Sequence, residues 1–168
     1  MGVEQNILTI GIAIEEGSTN SLVSLQTTPD KWPPASIVNE TVAVTPSSTA
    51  EWVAQECLVK AGFNVTDPTY LEEGQDGVID ALEDGSAAYG ALWAPNLYTF
   101  LEGEDDDTDN RSVLCTGTDL GVGVPVSIVV TKEWGEANPD VAAKVLTAWL
   151  RGIVFVQSEE MRNQPLSI

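Results

Sequence analysis

The chain of 168 residues has no histidine, and only seven lysines and arginines stand against 26 aspartates and glutamates, a formal net charge of −19. The missing imidazole removes histidine metal sites, Ser-His-Asp triads and Cys-His dyads together. The scarcity of cations excludes nucleic acid and anionic membrane surfaces as partners, because both are bound chiefly through Lys and Arg. Long apolar runs are absent too. Ile7–Ile14 ends at Glu15-Glu16, far short of the ~20 residues of a membrane-spanning helix. Met1–Gln5 lacks the basic start of a secretory leader.

Cysteine is nearly absent. Cys57 and Cys115 do not form a C-x-x-C, and two readings stay open. They are two buried apolar thiols, one in a helix and one in a strand, or they are bridged, since sequence gives no distance between them. Catalytic carboxylates are not expected: Glu72, Glu73, Asp76 and Asp80 fall on short polar segments where solvent exposure is expected. Asp105-x-Asp107-x-Asp109 imitates the start of a calcium loop but lacks the glycine at position six and the glutamate at position twelve. No metal, cofactor or catalytic residue is therefore assigned, and the chain is read as a non-enzyme.

What is present is alternation. An apolar content of 43% over this length suits a buried core in one domain spanning residues 1–168. Ile7–Ile14, Ser21–Leu25, Glu40–Thr45, Thr69–Leu71, Ala87–Trp93, Ser112–Cys115 and Val122–Thr131 read as strands by their branched content. Helices are expected over Thr49–Ala61, Asp76–Glu83 and Pro95–Leu101. Ser48 and Glu51 offer a capping box for the first of them, and Gly62 its stop. A last helix starts at Asn138-Pro139 and runs to about Glu160, with a stripe of Val141, Val145, Trp149 and Ile153. The 26–34 segment, rich in proline, and the acidic 102–110 segment read as loops, and Gly121–Pro125 as part of a hinge strand. Strands alternating with helices predict an α/β fold with a mostly parallel sheet flanked by helices.

In such folds ligands gather where strands end and helices begin. Ser47, Ser48 and Thr49 stand at such a start, and their hydroxyl and N–H groups would hold a polar or anionic head. The opposing reading is that Ser48 only caps the helix while Glu51 fills the donors and repels an anion. Trp93 and Asn96 follow the Ala87–Trp93 strand and could flank a solute, although core packing of Trp93 competes. Asn20, beside Ser21 and before a strand, is a further candidate that could equally just make the turn.

Four segments in order resemble the type II solute-binding proteins of ABC importers, in the nitrate, taurine, aliphatic sulfonate and thiamine-precursor branch. They are Thr41–Thr49, Ala81-Leu-Glu-Asp-Gly85, Leu92-Trp-Ala-Pro95 and Ser127–Asp140. The resemblance implies one lobe plus crossover strands of a fold that has two lobes. It also implies reversible binding of a small solute, an ABC permease as partner of a full-length parent, and a periplasmic or extracellular place. The alternative is an interaction or sensor module acting through a protein partner or a homodimer.

Overall fold

The computed structural model describes residues 6–25, 35–103 and 110–158. In chain order the first elements are β1 (Ile7–Glu15), β2 (Ser21–Ser24), a 3-10 turn (Ala35–Asn39), β3 (Thr41–Val44) and α1 (Thr49–Lys60). Then come β4 (Thr69–Glu72), α2 (Gln75–Glu83), β5 (Tyr89–Leu92) and α3 (Asn96–Glu102). The remainder is β6 (Ser112–Thr116), α4 (Gly117–Leu120), β7 (Pro125–Thr131), α5 (Lys132–Ala137) and α6 (Pro139–Val156). These elements form two compact units, one of Glu16–Val124 and the other of Met1–Glu15 with Pro125–Ile168.

The Glu16–Val124 unit is built on a five-stranded sheet of order β4-β3-β5-β2-β6. β3 runs parallel to both β4 and β5, and β2 enters antiparallel between β5 and β6. Strand alternation sorts side chains to two faces. Leu22, Val42 and Val44 pack with Val53, Ala54, Cys57 and Leu58 of α1. Val23, Ala43 and Leu92 pack with Val78 and Leu82 of α2 and with Leu97 and Phe100 of α3. Central strands covered on both faces must be apolar throughout, which is why β3 and β5 read as short unbroken runs. Gly90 is required where α2 crosses β5: a Cβ there would lie 2.8 Å from Val78 Cγ1 and 2.9 Å from Leu82 Cδ1.

Cys57 and Cys115 form a disulfide, with Cα atoms 6.2 Å apart, that staples α1 to β6 across 58 positions of sequence. The bridged reading therefore holds, and the reading as two free thiols does not. At the start of β6, Arg111 donates to Glu83 at 3.1 Å and to the Phe100 carbonyl at 2.9 Å. Its guanidinium also stacks on the Phe100 ring, 5.1 Å from the centroid.

In the other unit β1 pairs antiparallel with β7, from Ile7 opposite Thr131 to Glu15 opposite Pro125. The helix α6 lies close to β1, since a Cβ on Gly11 would meet Leu146 Cδ2 at 2.7 Å. Only Ala142 of α6 is buried; Val145, Trp149, Leu150 and Val154 are 48%, 44%, 58% and 70% exposed.

Several boundaries shift from the sequence expectation. The strand expected from Val122 starts at Pro125, because Thr116 and Asp119 cap a short helix that the sequence reading missed. Gly121, at φ 72°, closes that helix as its left-handed cap rather than joining a hinge strand. The strand expected over Ala87–Trp93 narrows to β5, and the last helix ends by Val156. The 26–34 loop and residues 104–109 of the acidic loop lie outside the described residues.

Candidate functional site

Because β3, β4 and β5 are parallel, their carboxyl ends (Val44, Glu72 and Leu92) face one edge of the sheet. Ser21 of β2 sits opposite Leu92 and also opposite Thr116, the last residue of β6. The starts of α1, α2, α3 and α4 therefore open on the same edge. Each start leaves backbone N–H groups without helical partners and carries the positive end of a helix dipole.

The approach to α1 is strained. Pro46 leads into Ser47, whose φ of 60° is the left-handed value that side chains with a Cβ rarely adopt. That turn aims the Ser47 N–H at the Glu51 carboxylate, with N to Oε2 at 2.6 Å. Ser48 Oγ accepts from the Glu51 N–H at 3.1 Å and caps the helix. The reciprocal capping box expected from sequence is thus replaced: the Glu51 side chain reaches one residue further back, to Ser47. Gln55 Nε2 donates to Glu51 Oε1 at 3.2 Å. The Thr49 hydroxyl donates to Oδ1 of fully buried Asn20 at 2.7 Å, while Asn20 Nδ2 donates to the Glu16 carbonyl at 2.9 Å. Asn20 is therefore an internal tie between β2 and α1.

Trp93 and Asn96 come from the neighbouring strand end. Trp93 is half-buried against the α1-side core, and its backbone N–H donates to Gln75 Oε1 at 3.0 Å. The same Gln75 amide donates to Thr45 Oγ1 at 3.0 Å and to the Ala91 carbonyl at 3.2 Å. Gln75 thereby joins the ends of β3 and β5, the two strands that present the candidate residues. Asn96 Nδ2 donates to Asp76 Oδ1 at 2.6 Å, tying the start of α3 to that of α2. The sequence reading missed Gln75 and the structural use of Asp76. Their one sequence signal is position, directly after the Gly74 that opens a helix behind a strand.

The electrostatics are one-sided. Glu51 is part-exposed, and Glu72, Glu73 and Asp76 are exposed around the edge. This unit has two basic residues among its described ones. Lys60, in the last turn of α1, donates to the Asp119 carbonyl, and Arg111 is held by Glu83 and Phe100. Burial first, and then the Glu51 carboxylate, push the Tyr70 phenol above its ordinary value, and its hydroxyl is buried without a partner among the described atoms. The fully buried Ser21 hydroxyl is likewise unpartnered. Among the described residues no cluster of acidic or cysteine side chains could hold a metal ion, and no helix is long and apolar enough to cross a membrane.

The sequence matches no family profile and no curated sequence relative. The fold matches solved structures clearly. The periplasmic aliphatic sulphonate binding protein SsuA from Escherichia coli superposes with a TM-score of 0.80 at 19% identity, over 95% of this chain and 52% of that one. The alkanesulfonate-binding protein SsuA from Xanthomonas axonopodis pv. citri, bound to MOPS, gives 0.70 at 17% identity, over 90% and 50%. A solute receptor for L-cysteine from Neisseria gonorrhoeae gives 0.56 at 17%, over 87% and 55%. The chain spans about half the length of these structures and has the α/β fold of periplasmic ABC solute receptors over that half.

Proposed function

We propose that this chain binds a small polar solute reversibly and without catalysis, as part of an ABC-importer solute receptor. One observation carries the reading: four helix starts and the ends of three parallel strands meet at a single sheet edge, in a fold shared with solute receptors. Ser47 and Ser48 at α1, and Thr49 behind them, supply hydroxyls. Trp93 supplies an apolar face, and Asn96 an amide. Asn20 acts from behind, by fixing Thr49. A half-length fold offers an open platform, so affinity is weak until a complementary body covers the solute. An ABC permease as partner belongs to this reading, reached through a longer parent. So does an oxidising, periplasmic or extracellular setting, which the Cys57–Cys115 bridge favours.

Intrinsic tryptophan fluorescence tests the reading. A saturable response to one class of small polar solutes, lost in Trp93→Ala, is the expected result. A flat response across amines, sulfonates, carboxylates and amino acids would remove solute binding by this chain.

Self-association is a second reading, favoured by the open apolar side of α6. That side borders a groove of ≈ 920 Å³ lined by Ile14, Val145, Trp149, Ile153, Phe155 and Val156. Sedimentation that stays monomeric as concentration rises would dismiss it.

A further inference from the structure

Carboxylates of the chain itself stand at the helix starts on the sheet edge. Glu51 Oε2 takes the Ser47 N–H at 2.6 Å before α1. Asp119 Oδ2 takes the Thr116 N–H and hydroxyl, both at 2.9 Å, before α4. Asp76, in the first turn of α2, takes the Asn96 amide at 2.6 Å where α3 begins. An oxyanion arriving at α1 would compete with Glu51 for the Ser47 N–H or sit beside a like charge. Within this unit the two described basic side chains are engaged elsewhere, Lys60 on the Asp119 carbonyl and Arg111 on Glu83 and the Phe100 carbonyl.

The same groups suit the opposite charge. An ionised carboxylate has about four acceptor positions, and Glu51 spends them on Ser47 and Gln55 alone among the hydrogen bonds described. The half-buried Trp93 presents an indole in the same sheet-edge region, and aromatic faces attract cations. At the first residue of β2, on this edge, the buried Ser21 hydroxyl still lacks a partner.

We propose that Glu51 sets the charge class of the solute, admitting a cationic head with N–H donors, a primary ammonium or an amidinium, and excluding sulfonates and other oxyanions. The proposal rests on the solute-binding reading above. Glu51 acts twice: it holds the left-handed Ser47 turn by accepting its N–H, and it presents its remaining lone pairs to the solute.

The test titrates the oxidised chain at low salt with n-butylammonium and with butanesulfonate, probes of equal chain length and opposite charge, followed by tryptophan fluorescence. Glu51→Gln keeps an oxygen for the Ser47 N–H and removes the charge, and an unchanged thermal midpoint verifies its fold. The wild-type chain is expected to saturate with butylammonium and to ignore butanesulfonate. Glu51→Gln is expected to lose at least about tenfold in ammonium affinity and to gain sulfonate response. Saturation of the wild-type chain by butanesulfonate would overturn the proposal and leave solute binding standing, as would ammonium affinity that Glu51→Gln does not change. Silence of both chains toward both probes would overturn the proposal and, extended to neutral solutes, the solute-binding reading as well.

Discussion

The two units bury their apolar residues to very different degrees. In Glu16–Val124 the sheet is covered on both faces, and Leu22, Val42, Val53, Leu58 and Phe100 have no exposed surface. In the other unit a two-stranded ladder and one long helix leave Ile12, Val145, Leu150 and Val154 about half exposed or more. Charge divides the same way. Among described residues the first unit carries thirteen acidic and two basic side chains, the second four and three. An element that is apolar and nearly neutral at its surface has the character of an interior. One that is acidic at its surface and apolar within is finished on its own. Among the described residues the acidity thus resides in the closed unit.

The sharpest way to break this contrast is to cut the bridge. Cys57→Ala with Cys115→Ala should lower the stability of the Glu16–Val124 unit by about 4 kcal/mol, the chain-entropy value for a loop of this length. Amide exchange in β1 and β7 should stay unchanged. If urea unfolding shows the loss spread over both units, they unfold as one and the contrast is only one of surface.

A paired truncation sharpens the contrast further. Leu58→Ala, in the closed core, should cost about 3 kcal/mol. Leu150→Ala, 58% exposed, should cost less than about 0.5 kcal/mol. Equal losses in denaturant titrations would mean that the α6 face is covered in solution.

The smallest effect is one of pH. Tyr70 has a phenol pKa raised in the folded chain, by burial first and Glu51 second, so the native state favours the neutral phenol. The stability this contributes is fully present below the ordinary phenol value of about 10 and declines as pH rises through the higher folded value. The urea midpoint should therefore fall between about pH 9.5 and about pH 11, and Tyr70→Phe should flatten that fall. A slope that persists in Tyr70→Phe would place its source elsewhere.

Much of this was legible in the sequence because the signals are local. Ser48 and Gly62 bracket α1 almost to the residue, since a hydroxyl cap and a left-handed stop act within one turn of the helix. β3 and β5 announce themselves by short runs of apolar residues bounded by turn formers. What was not legible depends on distance or on an unusual dihedral. The entry of β2 between β5 and β6 is a long-range pairing, and the Cys57–Cys115 bridge needs that pairing before its sulfurs meet. The diversion of Glu51 from Ser48 to Ser47 follows from the positive φ of a serine, which no residue preference signals. The apolar stripe of α6 was visible as a pattern, but a pattern carries no record of whether anything lies against it.

Gln75 couples the parts of this sheet edge. Its single amide grips Thr45, Ala91 and Trp93 at once, so two strand ends share one fastening. On the solute-binding proposal, a solute that draws Trp93 toward itself pulls on the residue that leads into the Pro46–Ser47 turn. The platform would thus register its cargo as a unit, in the way a drumhead struck at one rim sounds at the other.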